Sequence, residues 1–328
     1  MPVNVKRPAN NIWSVVIKVV ILALLCWALY EQLISQRRLD DVVREFRSGV
    51  AENGWNLVLV CILLMFANWG VEAFKWNLLI NKLVHIRFRR AFQAVWTGVT
   101  LGLFTPNRVG EYGGRILYLP AGFRISGVVS SLVGSYATIL ATLYAGIIAL
   151  MVFLRQQDLL GGPSFTIIVF LSVILLALLT LAYYYLYLVV DLLRNRRIMR
   201  RLVRYIEVLS FYSPADFTRI FLLSLLRYSV FSAQYLILLR LFGVHLQIGE
   251  GWTAVSVIFL AQTALPSFTV AELFTRGNIS LYFLRYYTDN TGAILAASTS
   301  LWLLNLIFPA VAGYFFILRK NFFKTRNQ

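Results

Sequence analysis

The sequence predicts an all-α integral membrane protein, and three observations carry that prediction. Hydrophobic residues make up 59% of the 328 residues and charged residues only 14%, with a mean hydropathy of +0.71, outside the usage of water-soluble domains. Several near-continuous apolar runs reach the roughly 20 residues that a helix needs to cross a bilayer core. They lack the ~10-residue alternating segments of barrel strands. Finally, one unusual pattern of prolines, glycines and charges occurs twice inside the apolar regions, about 160 residues apart, which is the mark of an internal repeat.

The candidate spans, in order, are 11–30, 54–80, 125–154, 165–190, 218–242 and 292–318. The first carries Lys18 and no small-x-small cleavage site, so we read it as a retained span rather than a removed signal peptide. An amphipathic surface helix follows: Leu39, Val42, Val43, Phe46 and Val50 recur at three- and four-residue intervals among charged residues. Residues 196–209 repeat the pattern with Ile198, Leu202, Val203, Ile206 and Leu209. A solvent-exposed loop helix is the alternative for both. Cys26 and Cys61 fall within spans without paired spacing, as small apolar residues do, and no metal site is expected.

The repeat is legible residue by residue. Residues 84–95 lie over 244–255, which brings the only two histidines, His85 and His245, together. The same shift places Pro106 on Pro266, and one inserted residue then brings Glu111 onto Glu272 and Arg115 onto Arg276. Each copy reads as span, surface helix, span, broken segment and span, with repeat 1 over about 11–160 and repeat 2 over about 165–318 of a single membrane domain, 1–328.

Charge orients the copies. The net charge of +17 sits in short loops rather than in an aromatic-interleaved basic domain, so it reports topology and not nucleic-acid binding. Loop 81–90 carries Lys82, Arg87, Arg89 and Arg90 and no acid, whereas its counterpart 241–250 carries only Glu250. The surface helices show the reverse contrast, four Arg against four acids in 36–52 and six Arg against one Glu in 194–212. Equivalent loops of opposite bias predict an inverted-topology repeat. If 81–90, 194–212 and the basic tail 319–328 are cytoplasmic, one apolar segment in each interval must enter and leave on the same side. We assign 91–119 and 250–288 as two opposed re-entrant, broken helical hairpins, giving about six full transmembrane helices and cytoplasmic termini.

The broken segments carry the chemistry. A half-helix beginning after Pro106 or Pro266 presents unsatisfied N–H groups and a partial positive charge that favours an anion. Glu111 with Arg115, and Glu272 with Arg276, are i,i+4 pairs in the favourable orientation. Each such charge near the bilayer centre costs roughly 2.5–3.5 kcal/mol on insertion scales, so their retention points to an aqueous cavity with a role, the alternative being an intrahelical pair that only makes a charged turn tolerable. Arg108 has no acid at i+4 and is read as a phosphate contact, with snorkelling to the interface as the alternative. Thr105, Pro106, Gly110 and Pro266 define the turns. Asn68, Glu72 and Lys75 share one face of span 54–80, with Arg227 and Gln234 at similar depth in the partner span. They either line the cavity or form an interhelical network.

Among enzyme signatures there is no HExxH, CxxC, Walker loop or nucleophile elbow, so no catalytic residue and no cofactor is assigned. Thr105-Pro106-Asn107-Arg108-Val109-Gly110-Glu111, followed by Arg115, resembles the Thr-Pro-x-x-x-Gly-Glu signature of the lysylphosphatidylglycerol synthase transmembrane-domain family, flippase-like membrane proteins. The resemblance spans residues 11–318, though the sharp motif is short. It makes Pro106, Gly110, Glu111 and Arg115 the motif positions. It also implies movement of aminoacylated or otherwise modified phospholipids between leaflets, without the soluble aminoacyltransferase domain of the full synthase.

The expectation is therefore a cell-membrane lipid translocator whose partner is a phospholipid, anionic or aminoacylated, held at a midplane site of Arg108, Glu111, Arg115, Glu272 and Arg276. A membrane-embedded enzyme using Glu111 or Glu272 on a lipid-linked substrate, and a structural membrane subunit, are the alternatives. Oligomeric state, headgroup and energy coupling leave no trace in the sequence.

Overall fold

The computed structural model describes residues 38–188, 205–265 and 269–319, together with positions 19, 20 and 23. Every regular element among them is helical. Helix α1 (Arg38–Asn53) ends at Gly54, whose φ of 77° lets the chain turn directly into α2 (Trp55–Asn81). Then come α3 (Phe88–Gly102), a single 3-10 turn at Pro106–Arg108, α4 (Gly110–Ile116) and α5 (Arg124–Gln156). The second half holds α6 (Gly162–Tyr184), α7 (Pro214–Leu241), α8 (Ile248–Ala264), α9 (Thr269–Leu284), α10 (Thr291–Trp302) and α11 (Phe308–Leu318). A π-turn at Leu303–Ile307 joins the last two.

Among the described residues, five helical stretches are long and apolar enough to cross a membrane: Trp55–Asn81, Ala121–Gln156, Gly162–Tyr184, Pro214–Leu241 and Thr291–Leu318. They correspond to the last five predicted spans, while 11–30 lies outside the described residues but for three positions. The chain is an integral membrane protein. Helix α6 shows why the apolar runs tolerate exposure. Only Leu176 and Tyr183 of its residues are buried, and Phe170, Leu171, Val173 and Leu178 face outward, as lipid permits and water would not.

Local signals set the boundaries. Ser213 accepts from the Asp216 N–H while Asp216 accepts back from the Ser213 N–H, and Pro214 sits at the first helical position; this capping box starts α7. Pro309 cannot donate to the carbonyl of Asn305 four residues earlier, and the backbone widens into its π-turn at this point. In α1, Phe46 and Val50 pack onto the core of α7, α8 and α10. The second predicted surface helix lies mostly outside the described residues; its end, Glu207–Phe211, is a 3-10 turn with Val208 and Leu209 buried.

Packing joins the halves reciprocally. Helices α2 and α7 pack along each other, α3 packs on α11, and α5 packs on α8. Both broken segments fold back on themselves, α3 against α4 and α8 against α9. The α3–α4 contact brings backbone against backbone: a Cβ on Gly114 would fall on the Cα of Gly98, and one on Gly98 would sit 2.7 Å from the Glu111 carbonyl. Small residues permit such an approach.

We expect Gly114→Ala to destabilise by about 1–3 kcal/mol, as over-packing does, whereas Gly113→Ala, with no heavy atom within 4 Å of an added Cβ, leaves stability unchanged or slightly raised. Thermal unfolding of both variants in detergent checks this.

Candidate functional site

The site begins at the break between α3 and α4. The Thr105 hydroxyl donates to the Gly102 carbonyl at 3.2 Å and accepts the Gly110 N–H at 2.7 Å, so one group satisfies both broken helix ends. Pro106 opens the 3-10 turn, where its missing N–H is not needed. Asn107 and Arg108 then adopt φ of 49° and 57°. Asparagine visits this left-handed region readily, but an arginine there costs roughly 1–2 kcal/mol, and such strain persists where neighbours over-determine it. Arg108 Nε lies 2.8 Å from Glu111 Oε1. A Cβ on Gly110 would strike the Leu101 carbonyl, so the turn closes only around glycine.

From Glu111 the charges lead to the centre of the molecule. Arg115 Nη2 lies 3.3 Å from Glu111 Oε2 and 2.9 Å from Glu72 Oε1. The other Glu72 oxygen, Oε2, receives Lys75 Nζ at 2.8 Å and Arg227 Nη1 at 3.0 Å. Glu72, Lys75 and Arg115 are buried. One carboxylate on α2 therefore holds cations from α2, α4 and α7. Lys75 also donates to the Gly134 carbonyl and to Thr138 Oγ1 on α5.

A chain of amides continues the network. Arg227 Nε donates to Asn68 Oδ1 at 3.1 Å. Asn68 Nδ2 donates to Asn305 Oδ1 at 3.1 Å, and Asn305 Nδ2 donates to Gln234 Oε1 at 2.8 Å. Gln234 Nε2 ends the chain on the Cys61 carbonyl at 2.9 Å. The guanidinium can only donate and the carbonyl can only accept, so the two ends fix the orientation of every amide between them. Asn305 reaches inward from the π-turn.

Beside this network lies a cavity of about 650 Å³, within the range of small-ligand sites. Asn68 and Trp69 of α2, Asn107 and Arg108 of the first break, Arg227 of α7 and Arg276 of α9 line it. So do Ala264 and Leu265 at the second break, and Thr138 and Thr142 of α5. Both broken segments thus open onto one cavity, with walls from both halves of the chain. The Arg227 guanidinium carbon sits 5.2 Å from the Trp69 ring centroid, a cation–π contact, and Tyr228, Phe231, Phe259 and Trp302 complete an aromatic wall.

The residues singled out from sequence fall into three groups. Asn68, Arg108, Arg227 and Arg276 line the cavity. Glu72, Lys75, Glu111, Arg115 and Gln234 form the network beside it, and Thr105, Pro106 and Gly110 build the turn. The side chain of Glu272 and all of Pro266 lie outside the described residues. Two relations add to the sequence reading. Arg108, read as lacking an acid at i+4, has one at i+3. Arg115, read as an intrahelical partner of Glu111, also reaches Glu72 on another helix. Sequence reasoning missed Asn305, though a lone Asn in an apolar run four residues before a proline was a signal.

A family model described as the lysylphosphatidylglycerol synthase TM region matches residues 15–268. The match takes in the Thr105–Arg115 turn, Glu72 and Arg227, and stops short of Arg276 and Asn305. No curated protein matches the chain.

Removing the shared carboxylate leaves its three cations without their common partner. We expect Glu72→Gln to cost about 3–5 kcal/mol, as breaking a buried ion pair does, and Glu72→Gln with Arg227→Gln to cost less than Glu72→Gln alone. Thermal unfolding reads both. Exchanging Glu111 and Arg115 should not restore what either alanine variant loses, because a Glu at position 115 would face Glu72; the yield of folded, monodisperse protein checks this.

Proposed function

Because this chain belongs to the family of the lysylphosphatidylglycerol synthase transmembrane region, we propose that it is a flippase-like lipid translocator of the cell membrane. In this reading a phospholipid or modified phospholipid headgroup passes through the arginine-lined cavity while its acyl chains stay in lipid. A polar headgroup cannot cross hydrocarbon unsolvated without a cost of several kcal/mol per group, so a path for it needs polar walls at depth. The observation that carries the reading is the convergence of both broken segments, through Arg108 and Leu265, on one cavity.

The two halves act as inverted repeats in this account. Support comes from the repeated order of span, short helix, break, short helix and span. Reciprocal packing of α3 on α11 and α5 on α8 adds to it, as does the opposite charge bias of loops 81–90 and 241–250. The broken hairpins enter from opposite sides, with both termini and 194–212 cytoplasmic. Rocking one half against the other about the α2–α7 contact would expose the shared site to each leaflet in turn. Arg108, Arg227 and Arg276 contact the headgroup, while Glu72, Glu111 and Arg115 hold Arg108, Arg227 and the hairpin in place.

Purified protein in liposomes should move a headgroup-labelled phospholipid between leaflets, read as the fraction accessible over time to a membrane-impermeant quencher. Arg227→Gln should slow that movement about tenfold or more, the effect of losing one charge-assisted contact of 1.4 kcal/mol. Exchange no faster than in protein-free liposomes, across anionic, zwitterionic and aminoacylated lipids, would end the reading.

A further inference from the structure

We propose that the cavity is built for a phosphomonoester lipid headgroup, a dianion with three terminal oxygens, in preference to phosphodiester, zwitterionic or aminoacylated headgroups. For transport the proposal rests on the translocator reading; for binding it stands on charge and geometry.

Charge comes first. Lys75 Nζ is surrounded by acceptors: Glu72 Oε2, the Gly134 carbonyl and Thr138 Oγ1. The Thr138 hydroxyl spends its own proton on the Gly134 carbonyl, so only an ammonium fits. Lys75, Arg108, Arg115 and Arg227 are therefore four cations tied to two carboxylates, Glu72 and Glu111. Arg276 adds a cation to the cavity wall, and Glu272, four residues before it, is counted against it in full. Among these groups, the described residues plus Glu272, cations exceed carboxylates by two inside a membrane domain, where a surplus charge is costly. A phosphomonoester supplies about −1.5 to −2 charges near pH 7. A phosphodiester supplies half of that, a zwitterion none, and a lysyl ester makes the balance worse.

Geometry agrees. The cavity arginines arrive on three separately anchored elements, Arg108 on the strained turn, Arg227 on α7 and Arg276 on α9. A guanidinium presents a planar fork suited to terminal oxygens. Three forks match the three such oxygens of a monoester, whereas a diester has two. An aminoacyl ammonium would need a carboxylate, and among the described residues none lines the cavity. The aromatic wall offers the glycerol and first methylenes of a lipid an apolar surface.

The test is binding to the intact wild-type protein in mixed micelles, read as the thermal shift on titration with phosphatidic acid, phosphatidylglycerol, phosphatidylcholine or lysyl-phosphatidylglycerol. Soluble glycerol 3-phosphate and inorganic phosphate serve as lipid-free arms. We expect phosphatidic acid to half-saturate at a concentration about tenfold lower than phosphatidylglycerol, with phosphatidylcholine and lysyl-phosphatidylglycerol weaker still. Arg276→Gln, which touches neither Glu72 nor Glu111 in the charge network, should erase most of that preference, and so should lowering the pH to about 5, below the second phosphate ionisation near 6. Equal affinity for phosphatidic acid and phosphatidylglycerol, or tighter binding of the lysyl lipid, would overturn the proposal. Soluble phosphates binding as well as phosphatidic acid would overturn its lipid occupant. The expected ranking without leaflet exchange would count against translocation alone and leave the binding site standing.

Discussion

One carboxylate holds the centre of this protein. Glu72 receives Lys75 from its own helix, Arg115 from the hairpin of the first half and Arg227 from the long helix of the second. In a low-dielectric interior neither the acid nor the cations would be tolerable alone, and close geometry with further hydrogen bonds makes the cluster possible. Because its members sit on α2, α4 and α7, the same contacts that neutralise the charges fix how the broken hairpin lies against the two halves. The amide chain through Asn68, Asn305 and Gln234 extends that constraint to the last span. Its polarity is dictated from its ends, so Asn68 presents its oxygen, and not its amino group, to Arg227.

The turn at Thr105–Gly110 is the second constraint, and each motif residue answers a separate physical need. Thr105 caps two helix ends with one hydroxyl, Pro106 starts a turn without a spare donor, and Gly110 passes a carbonyl that any side chain would strike. Glu111 binds arginines on both sides of itself. The left-handed pair Asn107–Arg108 is the residual strain, and it places an arginine on the cavity wall rather than along a helix.

Much of this was legible in the sequence. Apolar run length gave the spans, because hydrocarbon thickness sets a length that composition cannot disguise. The motif residues stood out since prolines, glycines and charges are expensive at depth. Which charges would meet was not legible. The i,i+4 rule paired Arg115 with Glu111 correctly but could not show that Glu72, about 40 residues away in sequence, would accept the same guanidinium. Arg227 and Glu72 were seen as polar residues at similar depth, but their contact depends on the rotation of α7 about its axis, which periodicity within a nearly uniform apolar helix does not set. Asn305 escaped because its inward direction comes from the π-turn, a departure from the helical period on which sequence reading depends.

In the proposed reading, the cavity shared by the two broken segments, with Arg108 and Arg227 held on its wall by the ion network, is where a lipid headgroup leaves one leaflet before joining the other. Photo-crosslinking measures its occupancy directly: a phospholipid with a photoreactive headgroup is irradiated with the protein in native-like membranes, and the labelled residues are mapped by mass spectrometry. We expect label on peptides carrying Asn68 and Trp69, Tyr228, and Gln262, all of which line the cavity, suppressed by excess unlabelled lipid. Label confined to the lipid-facing surface of α6, around Phe170 and Leu171, with the cavity peptides unmodified, would contradict the account.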